Sequence, residues 1–372
     1  MASRQKTTAM STWDDRKASD KGESQKRAYC EGGEMISLTG TLAAPFPYFG
    51  GKSLACGAVW AEIGNPDNYV EPFAGSAAML LGRPHVGGVE TINDADGFVA
   101  NFWRAIAADA DGVAKHADWP VNEADLFARH SWLVRNAGGL LEKLHADPEY
   151  FDAKIAGWWC WGACNWIGSG WCSGKGPWVH DGVSIVDSRQ LPHLGNAGQG
   201  IKRQLPHLGD AGQGINRQLP HLGERRGEYI HEWFSALKTR FRDVRVACGD
   251  WERVLKDSVT TRHGITGVFL DPPYTKGKMD YASGGVGGDL AGNVRAWCIK
   301  NGNNKKLRIV LCGHEGEHDE LLGHGWFLRK WEARKGYAST EEAVNNSKSE
   351  TLWCSPNCVS DKSGQADLFD AA

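Results

Sequence analysis

The chain has 372 residues, 41% hydrophobic and 23% charged, with a net charge of −3. That is close to the globular average and gives apolar surface for two or three domains, or for one large α/β domain with insertions, which excludes a small stapled scaffold. It also excludes a global basic field, so any nucleic-acid contact has to come from local patches.

Residues 1–34 are polar and charged with almost no aliphatics. Too little can be buried there to offset the entropy of ordering, so a disordered tail is expected over 1–37, with Met35 as an alternative start. The N-terminus lacks the apolar centre of a signal peptide, and no stretch reaches the roughly 18 apolar residues of a membrane span. A soluble, cytoplasmic protein without a membrane partner is the expectation. Ten cysteines at irregular spacings read as reduced thiols rather than a disulfide framework.

From Leu38 onward the texture changes to short apolar runs bounded by Gly, Pro and Asp. NYVEPFAG (68–75), VETIND (89–94), VRVACGD (244–250), TGVFLD (266–271) and LRIVLCG (307–313) read as buried strands, each ending in a turn with a polar residue. Helical segments are expected at 96–110, 125–145, 227–243 and 293–302. The alternation predicts an α/β fold with an open, Rossmann-like, mostly parallel sheet whose ligand lies beyond the carboxyl ends of the strands.

The stretch 158–178 holds six of the seventeen tryptophans. Trp158, Trp161 and Trp166 at helical spacing point to core packing, while aromatics interleaved with Gly and Lys175 also suit stacking on bases. Cys160, Cys164 and Cys172 with His180 lack a CxxC pair, which favours buried thiols, and no metal site is expected. RQLPHLG then recurs at 189–195, 203–209 and 217–223. From Arg189 to Arg226, six cations (Arg189, Lys202, Arg203, Arg217, Arg225, Arg226) face two acids, a local charge of +4. This tract is either a duplicated surface loop or a basic insertion contacting phosphates.

Asp271-Pro272-Pro273-Tyr274 closes the strand 266–271. An exocyclic amino group on a base is a poor nucleophile because its lone pair is delocalised into the ring. Two acceptors on its N–H groups draw it toward tetrahedral geometry: the Asp271 carboxylate and the Pro272 carbonyl, held by prolines of fixed φ. Tyr274 offers a π-face to a base extruded from a duplex. The segment GGKS at 50–53 is not a phosphate-binding P-loop, because Phe46 stands where that motif needs Gly. Cys312-Gly313-His314 is placed to shape a base site.

In this order, PFPYFGGK (45–52), VEPFAGSA (70–77), IND (92–94), CGDW (248–251) and DPPY (271–274) resemble the motifs of the Dam-like, alpha-group DNA adenine-N6 methyltransferases, phage-encoded members above all. The resemblance spans roughly 45–355. It implies the Rossmann-like fold of S-adenosylmethionine-dependent methyltransferases, with cofactor contacts from Tyr48, Gly50, Gly51 and Lys52. Glu71, Phe73 and Gly75 would lie under the methionine end, Asp94 at the ribose, Asp250 and Trp251 at the adenine ring, and Asp271 beside the amino-acid moiety. It further implies two halves of a catalytic domain, 38–114 and 231–355, around a target-recognition insertion at 115–230, with a flexible tail at 356–372. Lys175 and the cations of 189–226 would contact double-stranded DNA. Gln365 to Phe369 resembles the pentapeptide with which bacterial proteins dock in a sliding clamp. The expected reaction is direct methyl transfer to N6 of a flipped adenine, in a bacterial host cytoplasm if phage-encoded and paired with restriction or protecting against it. A cytosine-N4 or RNA-base methyltransferase and a catalytically silent DNA-binding relative remain as alternatives.

Overall fold

A computed structural model describes residues 42–48, 52–85, 87–166, 171–172, 178–180, 185–187, 226–273, 289–330 and 350–359, with backbone alone at 54, 178–180, 185–187, 226–228, 330 and 350. All lie within the unit Thr41–Ala372. The tail 1–37, the RQLPHLG repeats and Gln365–Phe369 lie outside the described residues.

The five expected apolar runs are parallel strands of one sheet: β1 (Asn68–Glu71), β2 (Val89–Asp94), β5 (Val244–Cys248), β6 (Thr266–Leu270) and β7 (Leu307–His314). Two strands that the apolar runs did not signal, β8 (Phe327–Lys330) and β9 (Glu350–Cys354), extend it antiparallel. The order is β5-β2-β1-β6-β7-β9-β8, an α/β sheet of Rossmann-like type; a separate two-stranded sheet pairs β3 (Trp178–His180) with β4 (Ile185–Asp187).

Every residue of β1 and β6 is buried, which is why these strands read as unbroken runs: helices cover both faces of a parallel sheet. The side chains alternate between two cores. Tyr69, Phe269, Val310 and Cys312 pack with the helices of one layer, whereas Val70, Val268, Leu270, Ile309 and Leu311 pack with Val294 and Cys298 of the other. The first layer contains α1 (Cys56–Ile63), α2 (Ala78–Leu81), α3 (Gly97–Ala117), α6 (Ala153–Asn165) and α7 (Arg226–Phe241); the second contains α8 (Leu290–Asn301).

Helix boundaries differ from expectation where backbone chemistry intervenes. The segment 125–145 is two helices, α4 (Glu123–Asn136) and α5 (Leu140–Ala146), broken at Gly138-Gly139, where Gly139 takes φ +81. Asn122 starts α4 by accepting from Ala124 N and Asp125 N. α3 outruns its expected end but breaks at Asp109 (φ −142, ψ 71), whose carboxylate accepts from Gly112 N at 2.9 Å and starts a second stretch of helix. α6 runs through the tryptophan cluster, capped by Asp152 on Ile155 N. Trp159, Trp161 and Trp166 are buried there and Trp158 is half-buried, so most of the cluster is core. Cys160 and Cys164 are buried thiols that both approach Pro45 O.

Candidate active site

The order of strands reverses beside β1: the chain leaves to β2 and β5 on one side, then returns to β6 on the other. In an open α/β sheet, such a reversal parts the connections above the carboxyl ends of the two central strands and leaves a crevice. Glu71 ends β1 and Asp271 follows β6, so the two carboxylates stand on either side of it.

Parallel register brings the other motifs to the same edge. The turn after β1 is tied to β2 by Ala74 N donating to Asn93 O and Gly75 N donating to Asp94 Oδ2, both at 2.9 Å. β5 is tied to β2 by Gly249 N donating to Asp94 O at 3.0 Å. Asn93, almost fully buried, bridges all three strand ends by donating to Pro72 O and Gly249 O, each at 3.0 Å. The ring of Phe73 stacks on Trp251 with centroids 5.9 Å apart. Asp250 caps the short turn after β5 through Glu252 N.

Gly75 is a glycine of necessity. It takes φ +48, and a Cβ there would run into the Tyr48 ring; its carbonyl accepts from the buried Trp103 indole at 3.2 Å. Two residues on, Ala77 also holds a left-handed φ of +54, so the loop stores strain beside the crevice. Tyr48 thus lies over the glycine turn, and Lys52, only 4% exposed, reaches Asp271 with Nζ 3.6 Å from Oδ1.

The electrostatics of the edge are acidic. Glu71, 3% exposed, accepts from Tyr69 Oη and Leu80 N. Burial pushes its carboxyl up to about 8 despite those two bonds, with Asp271 and Asp94 adding to the rise. Burial also raises Asp94, opposed by the backbone N–H groups of Asp96, Gly75 and Ala95. Asp96 caps α3 through Phe98 N and is pushed up to about 7 by burial and by Asp94. Glu71 thus feels Asp271 and Asp94, and Asp96 feels Asp94, while Lys52 pairs with Asp271, so this edge gains from a cationic ligand.

Of the residues expected at the site, Tyr48, Lys52, Glu71, Phe73, Gly75, Asp94, Asp250, Trp251, Asp271, Pro272 and Pro273 fall at this edge or on its loops. Gly50, Gly51 and Tyr274 lie outside the described residues, as do Lys175, Arg189, Lys202, Arg203, Arg217 and Arg225. Arg226 opens α7, where the backbone alone is described. Sequence reasoning missed Asn93, Asp96 and Trp103; a polar residue just before the end of a buried strand was the signal available for Asn93. Cys312, expected near the pocket, is fully buried in the core. A separate cavity of about 760 Å³ runs beside β5, lined by Arg104, His145, Arg242 and Arg253 among apolar side chains, and meets this edge at Cys248.

Compared with models of known protein families and with curated proteins, the chain matches none at a significant level. Among the described residues, no helix is long and apolar enough to cross a membrane.

Proposed function

We propose that the chain is a DNA methyltransferase that takes S-adenosylmethionine as methyl donor and methylates N6 of an adenine turned out of its duplex. The observation that carries this reading is the Lys52–Asp271 pair at 3.6 Å, set at the strand-order reversal together with Glu71 and Asp94, residues drawn from four separated motifs. The residues fit the donor chemically. Buried carboxyls complement a sulfonium and an ammonium, the missing Cβ of Gly75 lets the Tyr48 ring close over the turn, and Asp94 keeps a lone pair for a ribose hydroxyl beyond those it spends on Gly75 N, Asp96 N and Ala95 N.

When bound, the donor supplies a methyl group already activated on sulfur, so the protein's task is alignment and exclusion of water. Asp271 and the Pro272 carbonyl accept the two N–H bonds of the amino group and free its lone pair for attack. Asp271 would then take the proton that nitrogen sheds as the N–C bond forms and the bond from methyl to sulfur breaks, leaving a neutral thioether. Lys52 holds the carboxylate in place. The segment 115–230, with α4, α5, α6 and the β3–β4 pair, would be the target-recognition insertion, and Gln365–Phe369 a sliding-clamp motif. Deleting 365–369 should abolish clamp binding in calorimetry, and unchanged affinity refutes that partner.

The test of the enzyme reading is incubation of the full chain with tritiated S-adenosylmethionine and plasmid DNA, followed by digestion to nucleosides. Label in N6-methyladenine is expected. Label in N4-methylcytosine, or none, overturns the reading. Asp271→Ala should fold, since the residue follows a strand rather than filling the core, and should transfer nothing; retained turnover refutes its role.

A further inference from the structure

At the end of the sheet opposite the crevice, the turn that follows β9 brings two thiols together. Cys354, fully buried, is the last residue of β9 and lies opposite Val310, near the amino end of β7. The chain then turns tightly, with Cys358 N donating to Ser355 O at 3.0 Å, and carries the Cys358 side chain back to Cys354, with which it shares a hydrogen bond. The turn is fixed from several sides. Ser355 N donates to Ile309 O and Ile309 N donates to Ser355 Oγ, both at 2.9 Å. Asn357 Nδ2 donates to Gly302 O and Asn304 O, and Val359 N donates to Glu62 O at 2.8 Å. The two sulfurs therefore meet in a turn bonded to β7, to α1 and to the residues after α8.

A cysteine reacts through its thiolate, so access and the stability of that anion decide which thiol is reactive. Among the described residues Cys56, Cys248 and Cys358 are half-buried and the other cysteines are buried. Burial pushes Cys56 up to about 12 and Cys248 up to about 11. Cys358 moves the other way. Its hydrogen bond with Cys354, and a second with Ser355, lower it against burial and the Glu62 carboxylate, whose charge is paired with Arg329 at 2.6 Å. Ser355 Oγ accepts from Ile309 N, which leaves its O–H for Cys358 Sγ at 3.6 Å. Cys354, raised by burial and by the same sulfur contact, keeps its proton. One sulfur is thus the better nucleophile, and the other stands beside it as a protonated thiol.

We propose that Cys354 and Cys358 form a peroxide-sensitive dithiol, an oxidation site remote from the crevice in which Cys358 attacks hydrogen peroxide and Cys354 closes a disulfide with it. In the first step the Cys358 thiolate bonds to one peroxide oxygen and the O–O bond breaks. The hydroxide that leaves takes up the proton Cys358 had released, giving a sulfenic acid and water. In the second step Cys354 Sγ bonds to Cys358 Sγ, the S–O bond breaks, and the hydroxyl departs as water with the Cys354 proton. The thiols lose two electrons and two hydrogens, and one peroxide becomes two waters. The fold tolerates the change because its cost is the Cys358 Sγ bond to Ile309 O, whereas the bonds from Ser355 to Ile309 and from Val359 to Glu62 involve no sulfur.

The test takes the full chain, reduced and desalted, through increasing hydrogen peroxide, followed by alkylation with iodoacetamide in denaturant and mass spectrometry of the tryptic peptides. Trypsin cuts after Lys348 and Lys362, so both cysteines and no others fall in one peptide. That peptide should lose two hydrogens and escape alkylation at peroxide levels that leave Cys56 and Cys248 alkylated, and dithiothreitol should restore both thiols. Cys354→Ser should stop at a sulfenic acid on Cys358, trapped by dimedone, whereas Cys358→Ser should leave Cys354 reduced. Circular dichroism checks that the variants fold; should either not fold, the wild-type peptide decides the matter by itself. Oxidation of Cys56 or Cys248 first, a peptide that gains oxygen without losing hydrogens, or a disulfide from Cys358 to a cysteine outside the peptide refutes the pair. None of these readouts involves methyl transfer or DNA, so the result stands apart from the enzyme reading.

Discussion

Glu71 makes the stability of this protein fall with rising pH. Its ordinary carboxyl value is 4.5 and in the fold it is about 8. Below 4.5 the folded and unfolded chains both hold the proton. Between 4.5 and 8 the folded chain holds it and the unfolded chain does not, so the free energy of unfolding decreases as pH rises; above 8 the loss is complete. At about 1.4 kcal/mol per pH unit, that interval amounts to about 5 kcal/mol, an upper bound because loops and water relax around a new charge. Glu71→Gln removes the titration while its amide oxygen can still accept from Tyr69 Oη and Leu80 N, which both approach the same carboxyl oxygen. Urea unfolding of the two proteins across this range should give equal stabilities below 4.5 and a variant more stable by several kcal/mol above 8. Curves that run parallel across the range would falsify the assignment, because Glu71 would then be ionised in the fold. A cationic ligand beside Glu71 favours the ionised form, so donor binding near pH 7 should release a proton, seen as a dependence of calorimetric heat on buffer ionisation enthalpy.

Three further outcomes follow from named contacts. Gly75→Ala places a methyl group into the Tyr48 ring at φ +48 and should cost about 1–2 kcal/mol in urea unfolding, with a larger loss of donor affinity in calorimetry. Glu90 accepts from Arg83 at 3.0 Å and from both terminal nitrogens of Arg240 at 2.6 and 2.8 Å; Glu90→Ala leaves the buried Arg83 charge unpaired and should cost about 3–5 kcal/mol, barely altered by salt. Trp103 is fully buried, stacks on Phe241 with centroids 4.0 Å apart and bonds Gly75 O, so Trp103→Ala should cost about 3–5 kcal/mol and lower donor affinity in the fraction that stays folded.

The central sheet was legible because β1, β6 and most of β7 are buried on both faces and so leave short apolar runs. The crevice was legible for a related reason: parallel strands bring their carboxyl ends to one edge, so a polar residue just past each run is placed beside the others. The resemblance grouped Glu71, Asp94 and Asp271, and the parallel sheet supplies the physical reason, although 200 residues separate the first from the last. Other features depend on contacts that one-dimensional patterns do not carry. The glycines and tryptophans of α6 lower its intrinsic helix propensity, and the helix is held by packing on α3, where Gly157 has no room for a side chain against His116 and Val113. β8 and β9 pair across 331–349, too far apart for a hairpin signal. Arg129 and Lys154 read in sequence as ordinary surface charges of two unrelated helices. Only the approach of α4 to α6 places them against the same indole, Trp158, with Arg129 buried and Lys154 half-buried. Asn93 shows the same limit at the crevice: its amide is what fixes the β1 and β5 turns relative to each other, yet in the sequence it is one polar residue between Ile92 and the more conspicuous Asp94.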